Sequence, residues 1–251
     1  MKTIDLNCDM GELKAGQAHN YDAEIMPFIS SCNIACGFHS GTPVLMRATI
    51  LTAIRHGVKI GAHPSYNDRE HFGRRSLKVD PEVLVAELFY QIYALKGMVE
   101  RYGQRLHHVK PHGALYNDLL VNDELAELFV STIKTIDPAL KIVTLANANV
   151  VRYCAAHGLG VIQEGFADRR YEQLTKLKSR AHPDAVLHDP AEVLAQVKGF
   201  LNGAVQLADG TTQKIDVDTL CLHSDTPGAV SLSQTIYHYL KEHDIKIVAP
   251  E

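Results

Sequence analysis

The sequence predicts an α/β chain folded as a (β/α) barrel of seven or eight strands, somewhat irregular. Three observations carry that reading. Short apolar strand-like runs alternate with amphipathic helical runs along all 251 residues, the pattern of repeated βαβ units. Four of the helical runs open on a Thr–Pro or Asp–Pro pair, which marks helix starts sharply. Polar side chains gather at strand C-terminal ends, where such barrels carry their sites. A doubly wound open sheet is the competing arrangement.

The first strand, "TIDLNC", begins at Thr3. Strand side chains alternate faces, so Ile4, Leu6 and Cys8 form one row and Asp5, Asn7 and Asp9 the other. Helices cover the apolar row, which turns the carboxylate row toward the barrel axis. The second strand, "SCNIAC", leads to His39 just past its end. A helix then runs from Thr42–Pro43 to Gly57, with an N-cap oxygen at one end and a left-handed cap residue at the other. The third strand, "VKIGAH", puts Ile60 outward and leaves His63 at its tip. The next helix starts at Asp80–Pro81 and stops at Gly103. In the fourth strand, "HHVKPH", Val109 points outward and His108, Lys110 and His112 inward, before the chain breaks at Pro111 and Gly113. "KIVTLA" and "GVIQEG" are the fifth and sixth strands, with Gly158 capping the helix between them. A helix from Asp189–Pro190 follows, and residues 206–216, around "GTTQKID", read as a rim hairpin. In "TLCLHS" Leu220 and Leu222 go outward and His223 inward. A last helix from Thr226–Pro227 and a final strand in "IKIVAP" complete the order. No linker or low-complexity segment interrupts it, so one domain over 1–251 is expected.

Composition narrows the function classes. The chain is 46% hydrophobic and 22% charged, with a net charge of −4 and no runs of basic residues. A nucleic-acid or membrane-surface role has no electrostatic support. The N-terminus enters a strand directly and no apolar run is long enough to span a bilayer, so a cytoplasmic protein is expected. Five cysteines form no CxxC. Cys32 and Cys36, four apart on a strand, lie about 13 Å from each other and cannot share a zinc ion. Reduced, mostly buried thiols are expected. Fourteen histidines against no tryptophan point toward chemistry.

Charged groups inside a barrel cost several kcal/mol each unless paired or solvated. Singly, each has a plainer reading: a strand-end histidine as a hydrogen-bonded structural residue, Lys110 as a snorkelling or ion-paired lysine, Asp5 as a tie between loops, Glu12 as a solvated turn residue. Convergence decides otherwise, because at least five strands deliver Asp, His or Lys to the same rim. Three clusters belong with it. In "GAHPSYNDREHFGRRS" Arg74 or Arg75 could grip an anion. "EGFADRRY" sets Glu164, Asp168, Arg169 and Tyr171 just after the sixth strand, and "KSRAHPDA" offers Arg180 on the same lid. No G-x-x-x-x-G-K-[ST] occurs, so a nucleotide is not held by a P-loop.

Taken in order, "DLNCDMGE", "SCNIACGFHSG", "IGAHPSYNDREHFGR", "HVKPHGALYN", "EGFADRRY" and "CLHSDTPGAV" resemble the LamB/YcsF family, the A-subunits of bacterial 5-oxoprolinase, from residue 2 to the C-terminus. The resemblance implies a deacetylase-like TIM barrel. It also implies that the chain opens 5-oxoproline to glutamate at the expense of ATP, together with partner 5-oxoprolinase subunits B and C. ATP is the implied cofactor, with a divalent metal such as Mg where one is needed. Two departures stand out: the family usually reads His-Gly-Asp where this chain has His223-Ser224-Asp225, and usually carries an Asp-Gly turn where this chain reads "RYEQLTKLKSR".

Within these motifs Asp9, His39, Lys110, His112 and His223 are assigned to catalysis. Asn7, Glu12, Asn33, Arg74, Tyr116, Asp168, Arg169, Arg180 and Asp225 are assigned to substrate or nucleotide binding. Phosphorylation of the lactam oxygen would make the ring carbon electrophilic, with Asp9 as base or metal ligand and Lys110 balancing negative charge. A stand-alone metal-dependent amidohydrolase or deacetylase is the alternative, with Asp9, His63 and His112 around a cation. A substrate-binding subunit without its own chemistry is the third reading.

Overall fold

Alternation of short strands and helices closes into a ring. The computed structural model describes residues 2–13, 20–224, 226 and 228–251; Asp225, expected at the binding site, lies outside the described residues. In chain order the elements are β1 (Thr3–Met10), α1 (Asp22–Ile25), β2 (Ser31–Ala35), α2 (Pro43–His56), β3 (Lys59–His63), α3 (Pro81–Glu100) and β4 (His108–Val109). They continue with α4 (Gly113–Leu119), α5 (Asp123–Ile136), β5 (Lys141–Leu145), α6 (Asn149–His157) and β6 (Gly160–Phe166). The last group is β7 (Tyr171–Gln173), β8 (Lys176–Leu177), α7 (Pro190–Leu201), β9 (Ala204–Gln206), β10 (Thr212–Lys214), β11 (Thr219–His223), α8 (Ala229–Glu242) and β12 (Lys246–Ile247).

Seven parallel strands, β1 through β6 and then β11, pair in sequence, and β11 returns to β1. That last pairing closes a barrel and rules out the open doubly wound sheet. An eighth strand exists only as a stub: β12 pairs with Thr3 and Ile4 and no further. The irregular strand count foreseen from the sequence has this origin.

The two rows of β1 divide as alternation requires. Ile4, Leu6, Cys8 and Met10 are buried in one apolar cluster with Ile50 of α2 and Ile236 of α8. Each such side chain stabilises the fold by about 1.5–3 kcal/mol. Three of the four expected caps are present: Thr42, Asp80 and Asp189 accept from Leu45, Glu82 and Ala191 backbone N–H groups. The fourth is not a cap. The Thr226 hydroxyl donates to Asp168 at 2.7 Å, and α8 begins only at Ala229, after Gly228 in a left-handed conformation. The rim hairpin forms as β9 paired antiparallel with β10. A second hairpin, β7 with β8, contributes Gln173, Lys176 and Leu177 to the lining of a cavity. Among the described residues no helix is long and apolar enough to cross a membrane.

Candidate active site

The inward rows build a polar stack through the barrel. At its base Asp5 accepts from the hydroxyls of Ser30, Ser31 and Thr219 at 2.5, 2.7 and 2.6 Å. Burial pushes its carboxyl above the usual range in spite of those three donors, so Asp5 is a structural tie. One layer up, the Asn33 amide donates to Asn7 Oδ1 at 2.9 Å and to Asp9 Oδ1 at 2.8 Å, while its carbonyl meets His108 Nε2 at 2.7 Å. That imidazole passes over β3 only because position 61 is glycine: a Cβ there would lie 2.1 Å from His108 Nε2.

At the next layer stands Lys110, only 2% exposed. Its ammonium lies 2.7 Å from Glu164 Oε1, 3.1 Å from Asp9 Oδ1 and 3.1 Å from Cys221 Sγ. Burial alone would favour the neutral amine, but the adjoining Asp9, Cys221 and Glu164 raise its proton affinity well above normal. Lys110 is therefore a fixed cation. Burial would likewise raise Asp9, yet His63 and Lys110 hold it well below the usual carboxylate range. Tyr116 donates to Glu164 Oε2 at 3.0 Å and Asn7 to Glu164 Oε1 at 3.0 Å, leaving Glu164 fully hydrogen-bonded with no exposed surface. Sequence reasoning set Glu164 just after the sixth strand; it lies inside β6 and is the closest counter-ion of Lys110. Cys221, expected only as a core thiol, is buried but shares the inward row of β11 with His223.

Beside Lys110 is a histidine cluster. His63 Nδ1 meets the Lys110 carbonyl at 2.7 Å and His112 Nε2 meets the Phe72 carbonyl at 2.8 Å. His63 Nε2 and His112 Nδ1 face each other at 3.0 Å. Glu12 Oε1 lies 2.9 Å from His39 Nε2, 3.3 Å from His112 Nδ1 and 3.8 Å from His63 Nε2. His39 stacks on His112 with ring centroids 3.7 Å apart. Burial lowers the proton affinity of both His39 and His112 well below normal. Packing here requires Gly73: a Cβ would lie 2.8 Å from His39 Cβ and 2.9 Å from His112 Cδ2. Glu12, expected among binding residues, is a buried member of this cluster, and Asp9 touches it through His63 at 3.3 Å.

Across the mouth, Asp168 grips His223 Nδ1 at 2.9 and 3.0 Å and its backbone N–H at 3.2 Å. Burial raises the Asp168 carboxyl, but His223 and Thr226 bring it below the usual value. Ser224, the departure from the family pattern, donates to the Asp9 carbonyl at 2.9 Å and so joins β11 to β1.

Asp9, His63, Lys110, His112, Tyr116 and His223 line a cavity of about 560 Å³, opposite Arg74, Arg169 and Arg180. Arg169 is buried, donating to the carbonyls of Ala185 and Lys178 at 3.3 and 2.7 Å; burial, then Arg180, brings its pKa down to about 10. It latches the lid. Arg75 instead turns to Asp68 at 3.5 Å. Among the described residues two groups have donor atoms close enough to hold a metal: Glu12, His39, His63 and His112, and Asp9, Cys221 and His223.

The LamB/YcsF family model matches residues 4–251. A 5-oxoprolinase A-subunit of Natranaerobius thermophilus is 44% identical over 248 residues, covering 98% of this chain and 96% of its own. One from Bacillus cereus is 41% identical with full coverage of both. The crystal structure of a "lactam utilization protein" from Thermus thermophilus superposes with a TM-score of 0.91 at 36% identity, covering 100% of both chains. A chain from Enterococcus faecalis, 11% identical over 99% of this chain and 97% of its own, gives a TM-score of 0.59 and speaks for the fold alone.

Proposed function

We propose, from the premise that this chain belongs to the LamB/YcsF family, that it is the lactam-opening subunit of an ATP-dependent 5-oxoprolinase working with subunits B and C. Relatives named as 5-oxoprolinase A-subunits and as a lactam utilization protein support a hydrolase role on a cyclic amide. The observation that carries the reading is the buried Asp9–Lys110–Glu164 group at the floor of a cavity walled by Arg74, Arg169 and Arg180. A fixed cation at the floor and guanidinium groups on the wall suit a substrate with a carboxylate and a reaction that develops further negative charge.

A five-membered lactam has a poor leaving nitrogen. Transfer of the ATP γ-phosphoryl group to the lactam oxygen gives an imidate-like carbon that water attacks; the C–N bond then breaks as the nitrogen takes a proton, leaving an acyl phosphate, and a second water releases phosphate to give the free carboxylate. Lys110 balances charge at that oxygen. Asp9, with its low proton affinity, is a poor base and serves to orient Lys110 and the water. His223 is the better base: its Nδ1–H is held by Asp168, which leaves Nε2 to take a proton from water and return it to the nitrogen. ATP reaches the mouth beside Arg74 or is held by a partner subunit.

The test is ATP hydrolysis and glutamate formation from 5-oxoproline, with this chain, with B and C, and with all three. The expected result is coupled turnover only in the complete mixture. Turnover by B and C alone would assign the chemistry elsewhere. The buried Glu12–His39–His63–His112 group favours a second reading, a metal-dependent amidohydrolase, which would open its substrate without ATP and stop on chelation.

A further inference from the structure

We infer that Glu12, His63 and His112 form a tridentate site for a zinc-class divalent ion, open to the cavity, with His39 supporting Glu12 from behind. Hydrogen-bond direction carries the inference. A carbonyl oxygen only accepts, so the 2.7 Å contact of His63 Nδ1 with the Lys110 carbonyl puts a proton on Nδ1 and makes Nε2 the ring's ligand atom. The 2.8 Å contact of His112 Nε2 with the Phe72 carbonyl likewise leaves a lone pair on Nδ1. These two nitrogens face each other across 3.0 Å, with Glu12 Oε1 at 3.3 and 3.8 Å. Three ligand atoms converge on one buried point, where either a proton on His63 Nε2, which also lies 3.3 Å from Asp9 Oδ2, or a metal ion sits between them.

The spacing fits a metal ion. The circle through the three atoms, set by the 3.0, 3.3 and 3.8 Å separations, has a radius of about 2.0 Å, against zinc–nitrogen and zinc–oxygen distances of about 2.0–2.2 Å. Two imidazoles suit zinc, cobalt or nickel and not magnesium, which demands oxygen ligands. His39 is excluded as a fourth ligand by its ring lying parallel to His112 with centroids 3.7 Å apart, because an ion in one ring plane lies out of the other. Its Nε2 instead reaches Glu12 at 2.9 Å, the outer-shell contact that orients a ligating carboxylate. His63 and His112 line the cavity, which leaves a coordination position facing it. Three protein ligands with one open position is the catalytic form of such a site.

The site does not depend on the proposed reaction, and its test needs no substrate. Protein stripped with chelator is titrated with Zn²⁺, Co²⁺ and Mg²⁺, following bound metal and the visible Co²⁺ absorption. One equivalent of Zn²⁺ or Co²⁺ per chain is expected, with a four-coordinate cobalt spectrum and no competition from Mg²⁺. Glu12→Gln and His112→Asn should weaken binding by more than 100-fold, and His39→Asn by roughly 10–100-fold as an outer-shell change, each with an unchanged circular dichroism spectrum. Should a variant unfold, nitrogen-15 shifts of the wild-type imidazoles decide: His63 Nε2 and His112 Nδ1 must move on metal addition. Absence of stoichiometric uptake, or binding by Glu12→Gln equal to that of the wild type, would overturn the site.

Discussion

Lys110 Nζ lies 2.7 Å from Glu164 Oε1, and neither side chain is more than 2% exposed. Lys110 directly follows β4 and Glu164 lies in β6, on opposite sides of β5, and their pairing fixes a buried ammonium in the cavity wall. Replacing Lys110 by Met leaves Asp9 and Glu164 buried without their cation, at a cost of about 3–5 kcal/mol. Denaturant unfolding should show that loss. The double change Lys110→Met with Glu164→Gln should recover part of the stability and none of the turnover.

The Asp168–His223 pair gives a second prediction. Asp168→Asn turns an acceptor-only group into one that also presents N–H donors, so the His223 ring loses its preferred tautomer. A fall in kcat on the order of 100-fold or more is expected, with the KM for 5-oxoproline nearly unchanged. A loss confined to KM would move Asp168 and His223 from proton transfer to binding.

Ser224→Gly restores the residue that the family usually carries. It removes one part-buried hydrogen bond to the Asp9 carbonyl and adds backbone freedom to the unfolded chain. Stability should drop by about 1–2 kcal/mol while activity stays at the wild-type level.

Asp22 sets a stability change with pH. Burial raises its carboxyl to about 6, although Gly11 N–H and Thr49 Oγ donate to it. Below pH ~4 the group is protonated in both states. As pH rises from about 4 to about 6 the unfolded chain ionises first, so this group's contribution is lost across that window and is absent above it. The change is roughly 3 kcal/mol. Unfolding curves at pH 4.5 and 7.5 should differ in this direction for the wild type and by correspondingly less for Asp22→Asn.

Much of this was legible from alternation. The inward row Asp5, Asn7, Asp9 and the inward trio His108, Lys110 and His112 follow from parity once one face must be apolar. The sequence groups Glu164 with the site but assigns it no role, because "GVIQEG" places two polar residues side by side and its inward direction depends on where β6 ends. The Thr226–Pro227 signal misled because the hydroxyl found a stronger acceptor in buried Asp168. The Glu12–His39 contact joins two loops whose relative position no local pattern encodes. Closure on seven strands rests on β12 being too short to insert between its neighbours.

The most direct measurement is 5-oxoproline-dependent ADP and glutamate formation by the complex reconstituted with Asp9→Asn, checked to be folded and assembled. If this chain's own mouth performs the lactam opening, glutamate formation falls by about 1000-fold or more. Wild-type turnover by that complex would contradict the reading and leave the chain with a binding role alone.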